Sequence, residues 1–205
     1  MLGRRAKVAG LVLLVLIAAG AIMLLRLLRH GFSAHDKPSR VEAVVSRTMR
    51  RLATPSDLFG RKNPVPLTPE VMAEARAHFA DHCAICHGND GKGGTVMGPN
   101  FYPDVPDMTL RGTQSLSDGE LFATIENGIR LTGMPAWGTG TAESAYGSWT
   151  LVHFIRHLPQ ISSEELEEMA RLNPKSPEEL KEEEEEQKFL EGEGNEPTSP
   201  DDHHH

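Results

Sequence analysis

The chain contains two cysteines, and they stand together with a histidine in the run Cys83-Ala84-Ile85-Cys86-His87. Thiols three residues apart reach the two vinyl groups of one porphyrin and form thioethers with them. The imidazole that follows is then carried beneath the iron as its proximal ligand. A redox Cys-x-x-Cys pair would need a strand before the motif and a helix after it; here a helical pattern precedes it, and Gly88, Gly91, Gly93 and Gly94 follow. A zinc site would need more ligands at suitable spacing. His153 and His157 are four residues apart, but they lie far downstream on a helical stretch.

A haem iron held by His87 has a sixth position to fill. Met134, in Gly133-Met134-Pro135-Ala136-Trp137, lies 47 residues beyond His87 in a turn-like segment behind a helical stretch. Thioether sulfur is a good ligand for haem iron and raises its potential. Methionine is more often core filler, but one hemmed in by Gly133 and Pro135 is poorly placed to fill a core, so Met134 is preferred to Met97 and Met108. His78 and His82 are too close to the attachment motif to reach the opposite haem face, and are expected to face solvent or to hydrogen-bond locally. Tyr102, Trp137 and Arg111 are candidate hydrogen-bonding partners of a haem propionate at the rim.

Three helices would position these residues. Thr68 caps the first, Pro69 opens it, and Val71, Ala75 and Phe79 form one stripe leading into the motif. Ser117 or Asp118 caps the second, with Leu121, Phe122 and Ile125 on its face and Gly128 as its stop. The third runs from about Ser144 to His157, with Leu151, Phe154, Ile155 and Leu158 at i, i+3, i+4 and i+7, and its natural partner is the first. The stretch between Gly94 and Leu116, rich in Gly, Pro and Asp, reads as a loop over one haem edge.

In this order the motifs resemble those of the small monohaem class I cytochromes c. The resemblance rests on Cys83 to His87, Gly88-Asn89-Asp90-Gly91, Gly98-Pro99-Asn100, Leu116-Ser117-Asp118-Gly119-Glu120-Leu121, Gly128-Ile129, Gly133 to Trp137 and the segment Trp149 to Leu158, and it covers about residues 66 to 160. It implies an all-α domain wrapping one covalent haem c, with His87 proximal, Met134 distal and the Pro99 carbonyl orienting the His87 ring. It also implies electron transfer rather than enzyme catalysis, because His/Met ligation leaves no open position for a small-molecule substrate. The amino-terminal arm looks like that of anchored bacterial members. Haem attachment in that family takes place outside the cytoplasm, so the resemblance places residues 32–205 on the outer, periplasmic face of the inner membrane.

The rest of the 205-residue chain is divided electrostatically. Residues 1–62 carry 12 basic and 3 acidic groups, residues 63–160 carry 5 and 10, and residues 161–205 carry 4 and 16, within a formal net charge of −8. An acidic folded block argues against nucleic acid as a partner. Val8 to Leu25 are 18 consecutive uncharged residues, enough for one membrane-spanning helix, with Arg4, Arg5 and Lys7 favouring an inward amino terminus against Arg26 and Arg29 beyond it. A cleavable signal peptide is the competing reading, but the only Ala-x-Ala in that region, Ala19 to Ala21, lies inside the apolar run.

Ser39-Arg40-Val41-Glu42 has the form of a capping box, and Val41, Val45, Met49 and Leu52 follow at helical spacing among Arg40, Arg47, Arg50 and Arg51. The expectation is a short basic amphipathic helix, lying on an anionic membrane surface or serving as a spacer. Pro55, Gly60, Asn63, Pro64 and Pro66 mark a linker. Beyond Pro159 the composition predicts a solvated, disordered acidic tail ending in Asp201, Asp202 and His203 to His205, which would be a metal-binding run or an expression scar. The domains expected are thus an anchor or signal peptide at 1–30, an amphipathic helix and linker at 31–65, a haem domain at 66–160 and a tail at 161–205.

The function expected is a membrane-anchored cytochrome passing single electrons between respiratory partner proteins. The alternatives are a five-coordinate haem ligand sensor or peroxidase, and a fixed haem subunit of a larger oxidase or dehydrogenase.

Overall fold

The computed structural model describes residues 2–30 and 33–190, and among them every regular element is helical. The first, α1 (Leu2–His30), contains a 24-residue candidate span, Gly3–Arg26, whose uncharged run reaches a mean hydropathy of 2.9, long and apolar enough to cross a membrane. None of its described side chains is buried within the protein, as suits a helix made for a lipid solvent.

A second helix, α2 (Arg40–Ala53), begins where the Ser39 hydroxyl accepts from the Glu42 N–H. Only this half of the expected capping box is made. The Glu42 carboxylate accepts instead from the Tyr102 hydroxyl at 2.6 Å, a partner sixty residues away that no local rule could supply. The linker that follows is pinned to the domain: Leu58 is buried in a 3-10 turn (Ser56–Leu58), the Asn63 amide donates to the Trp149 carbonyl, and His153 Nε2 meets the Val65 carbonyl.

The core is built on the crossing of α3 (Pro69–His78) with α7 (Ala142–His157). Thr68 caps α3 with Pro69 at its first position, and Thr141 caps α7 three residues earlier than the apolar spacing suggests. Phe79 and Phe154 meet at the crossing, ring centroids 4.9 Å apart, both essentially inaccessible to water. A π-helical turn, Phe79–Cys83, then joins α3 to the short α4 (Ala84–His87). The extra residue in that turn lets Phe79 and Ala80 face the core together, with Ala84 following, and delivers Cys83, Cys86 and His87 beside them.

The supposed loop between Gly94 and Leu116 has two ordered turns, a 3-10 turn at Gly98–Asn100 and α5 (Arg111–Gln114). Next, α6 (Asp118–Asn127) starts with a complete Ser117/Glu120 capping box and stops at Gly128. Its Phe122 stacks on Trp149 of α7, centroids 4.2 Å apart and planes 9° from parallel. Arg156 of α7 reaches across to Asp118 at 2.9 Å and to the carbonyls of Gln114 and Leu116, closing the end of α5 against the start of α6.

Contrary to the expectation of a disordered tail from 161, α8 (Ser163–Leu172) packs on the domain. Met169 is fully buried, and Glu165 accepts from Arg76 of α3 and approaches His157 Nε2, both at 2.9 Å, while Glu168 pairs with Arg76 as well. The sequence carried a signal for it: a Ser162/Glu165 capping box with Leu166, Met169 and Leu172 three residues apart. The next helix, α9 (Pro177–Leu190), buries nothing. Asp201, Asp202 and His203 to His205 lie outside the described residues.

Burial pushes the Glu165 carboxyl upward, but hydrogen bonds from His157 and the Ser162 N–H, with the charges of His157 and Arg76, outweigh it and leave the group below the usual glutamate value of 4.5. A carboxyl depressed in the folded state contributes stability that is complete above its unfolded pKa and is lost as pH falls through the folded value. The melting temperature of the native chain is therefore expected to fall more steeply below about pH 4.5 than that of Glu165→Gln, which has no charge to lose. Parallel melting curves for the two proteins over that range would contradict the depressed carboxyl.

Candidate haem site

Cys83, Cys86 and His87 occupy the end of the π-turn and α4, where backbone geometry holds them at adjacent positions on one short helical segment. Burial, and to a lesser degree the neighbouring Cys86, pushes the Cys83 thiol up to about 12, and burial raises Cys86 as well. Both are therefore thiols rather than thiolates at neutral pH. That is the opposite of the acidic cysteine a Cys-x-x-Cys redox site depends on. Among the described residues no three His, Cys, Asp or Glu side chains cluster as a zinc site would need.

His87 has the character of an iron ligand. Burial lowers its pKa, keeping the ring in the neutral form that coordinates metal. Its Nδ1 is buried and makes no hydrogen bond. Leaving such a group unpaired costs about 1–3 kcal/mol, so the ring is not serving local structure. An imidazole bound to metal through one nitrogen is normally steadied by an acceptor at the other. Pro99 lies in the turn Gly98–Asn100, which packs closely on the motif: a Cβ on its neighbour Gly98 would stand 2.0 Å from the Gly93 carbonyl oxygen and 3.3 Å from that of Cys86. Only glycine allows that turn to close on the motif. The Thr95 hydroxyl fastens it further, donating to the Cys86 carbonyl and accepting from the Gly98 N–H.

Met134 sits on a second clamped loop. Ile129 N–H donates to the Met134 carbonyl at 3.1 Å, the Met134 N–H donates to the Thr132 hydroxyl, and Trp137 and Gly138 N–H groups donate to Ile125 and Glu126 at the end of α6. Gly128, at φ +62°, lets the backbone pass against Met134, Pro135 and Ala136, where a Cβ would come within 2.5–2.7 Å of their atoms. The rival methionines differ: Met97 is 41% exposed, and Met108 is 7% exposed within the hydrophobic core. Met134 is half-buried.

The loop after Pro99 joins the two sites. The Phe101 ring lies against Gly133, where an added Cβ would be 2.3 Å from its Cδ1. A single short segment, Gly98 to Phe101, thus touches the backbone next to His87 at one end and next to Met134 at the other. Phe79, which packs on Phe154, is also 6.4 Å from the His87 ring, so the core crossing supports the motif directly.

The rim candidates are placed differently. Trp137 is half-buried, edge-on to His82 at 5.5 Å, and His82 in turn lies 5.1 Å from His78 and 3.0 Å from Asp81. The Tyr102 hydroxyl is given to Glu42, which pushes its pKa up to about 12. Arg111 opens α5 and is exposed. Sequence reasoning missed Gly98, Phe101 and Gly133 as the bridge, because nothing in the one-dimensional pattern links an aromatic residue to a glycine thirty-two positions on.

An all-helical domain with paired cysteines and a histidine on one helical turn, and a methionine on a clamped loop, is the architecture of a c-type cytochrome. Residues 70–155 match the family model described as cytochrome c oxidase, cbb3-type, subunit III. The Cbb3-type cytochrome c oxidase subunit FixP of Rhizobium meliloti (strain 1021) is 33% identical over 72 residues, which are 35% of this chain and 23% of that protein. The block is a cytochrome c domain, and such a domain holds covalently bound haem c. It stands behind a helix suited to anchoring it in a membrane.

Proposed function

We propose that this protein transfers single electrons at a membrane, on the outer face of the inner membrane, as the haem-bearing component serving an oxidase of the cbb3 kind. Cys83 and Cys86 would hold the haem by thioethers, His87 and Met134 would ligate its iron, and the Pro99 carbonyl would accept from His87 Nδ1–H, which has no partner among the described residues. Trp137, Tyr102 and Arg111 stand at the rim. When bound, haem c supplies an iron that alternates between ferrous and ferric states. The chain's own part is to fill both axial positions, exclude water and expose one edge to a partner. It is not an enzyme by itself, and it takes no small-molecule substrate.

The observation that carries this reading is the segment from Gly98 to Phe101, which ties the His87 turn to the Met134 loop although the two are 47 residues apart. The names of the matched family and relative favour a component of an oxidase over a freely moving shuttle. Anchoring suits either, since it raises the effective concentration of membrane partners.

The test is the optical spectrum of the full chain in mild detergent, oxidised, reduced with dithionite, and reduced under carbon monoxide. A narrow low-spin reduced band, unchanged by carbon monoxide, is expected. A high-spin spectrum that shifts with carbon monoxide would move the protein to the ligand-sensor or peroxidase class. Retention of other haem proteins through purification distinguishes a fixed subunit from a shuttle.

A further inference from the structure

Helix α2 is amphipathic, yet it does not bury its apolar face on the domain. Val41, Val44, Val45, Met49 and Leu52 are 73, 55, 54, 63 and 77% exposed and fall on one side of the helix. The side turned to the domain is marked by Ala43 and Arg50, the two half-buried positions of the helix. There the packing is open: Arg47, Arg50 and Arg51 line a gap of about 420 Å3 whose far wall includes Ser115, Glu120 and Thr124. Five large apolar side chains presented outward on one face of a helix would ordinarily mark a covered surface.

Two features of the chain say what covers it. The apolar span of α1 ends at Arg26, α1 itself at His30, and α2 begins at Arg40. Ten residues of fully extended chain reach at most about 35 Å, so α2 is confined to the neighbourhood of the bilayer surface. The charge pattern fits that surface. Arg40, Arg47 and Arg51 recur at i, i+7 and i+11, forming one row along an edge of the apolar stripe. Among the described residues no carboxylate is within ion-pairing distance of Arg40, Arg47, Arg50 or Arg51; Arg51 lies over the Phe59 ring at 5.8 Å. An apolar face with arginines at its margin is the pattern of a helix lying in the interface, apolar side down, cations among the phosphates.

We propose that α2 lies along the surface of the membrane that α1 crosses, with Val41, Val44, Val45, Met49 and Leu52 sunk at the headgroup boundary and Arg40, Arg47 and Arg51 against the phosphates of anionic lipids. This rests on α1 being a membrane anchor. The consequence is orientation. Glu42 of α2 holds the Tyr102 hydroxyl at 2.6 Å, and Tyr102 follows Phe101, the residue that bridges toward Met134. A helix fixed on the bilayer therefore grips the loop that spans the candidate haem site, and sets the attitude of the haem domain toward membrane partners instead of leaving it free on a tether.

The test uses the full chain reconstituted into vesicles of phosphatidylcholine with phosphatidylglycerol, with nitroxide labels at single introduced cysteines, Leu16→Cys, Val45→Cys, Met49→Cys or Ser46→Cys. Oxygen, which partitions into lipid, and a water-soluble nickel chelate compete to relax each label. Labels at positions 45 and 49 are expected to favour oxygen several-fold over the label at position 46, and replacing Arg40, Arg47 and Arg51 by glutamate is expected to abolish that difference. A lipid-embedded label at position 16 with water-exposed labels at 45 and 49 overturns the placement of α2 while keeping the anchor. Water exposure at position 16 overturns both. Labels at 45 and 49 shielded from oxygen and nickel alike mean that protein covers the stripe, which also overturns the proposal.

Discussion

Replacing Met134 by alanine is expected to lower the reduction potential of the haem-loaded protein by a few tenths of a volt, within the range of about 0.8 V that axial ligands command. The thioether is a soft, neutral donor that favours the ferrous state. Without it the sixth position passes to water or stays open, both of which favour ferric iron. The loop itself should survive, because its clamps are backbone groups: Ile129 N–H to the residue-134 carbonyl, and Trp137 and Gly138 N–H to the end of α6. The effect is thus separable from unfolding. Potentiometric titration of the native and Met134→Ala proteins, with the near-infrared sulfur-to-iron band recorded beside it, reads the change. An unchanged potential and an intact band would take Met134 out of the coordination sphere. Met108→Ala is the contrasting variant, expected to lose stability from the core with little change in potential, since Met108 is buried among core side chains.

Truncating Phe154 to alanine is expected to cost about 3–5 kcal/mol, the range for a buried phenylalanine whose cavity cannot collapse. Phe154 has no exposed surface, meets Phe79 at 4.9 Å and lies at the crossing of the two principal helices. For a domain near 100 residues the loss corresponds to a fall in melting temperature on the order of 20 °C. Because total stability is only about 5–15 kcal/mol, the variant should sit close to unfolding at growth temperature. Phe154→Leu, which keeps most of the volume, should lose clearly less. Thermal denaturation followed by far-ultraviolet circular dichroism measures both, and equal losses would show that the site relaxes around either residue.

The effect reaches the site as well as the core. Phe79 is in contact with Phe154 on one side and is 6.4 Å from the His87 ring on the other, and it opens the π-turn that ends at Cys83. The same crossing that holds the domain together therefore also positions His87, the proposed iron ligand.

Much of this was legible without coordinates. Thr68-Pro69, a cap at Ser117 or Asp118 and the apolar spacing of Leu151, Phe154, Ile155 and Leu158 act over one or two helical turns, so the chain near each residue decides the outcome. The motif Cys83 to His87 is legible for the same reason: its chemistry needs only neighbouring residues. The acidic stretch after Pro159 reads as a solvated tail because its composition outweighs the capping box and short apolar stripe that mark α8, and because the partners that recruit α8, Arg76 and His157, are on other helices.

By itself the sequence singled out the candidate residues for the chemistry and set where α3 and α6 begin. It also set the apolar segment that suits a membrane and the amphipathic helix behind it. Only the tertiary structure decided that Glu42 would abandon its own cap for Tyr102, that Arg76 would collect two glutamates from α8, and that Gly98, Phe101 and Gly133 would join the His87 turn to the Met134 loop. The reason is physical. Local hydrogen-bonding preferences are settled among groups a few bonds apart, whereas a carboxylate or a ring chooses among all the partners that packing brings within a few ångströms, and that choice exists only once the chain has closed on itself.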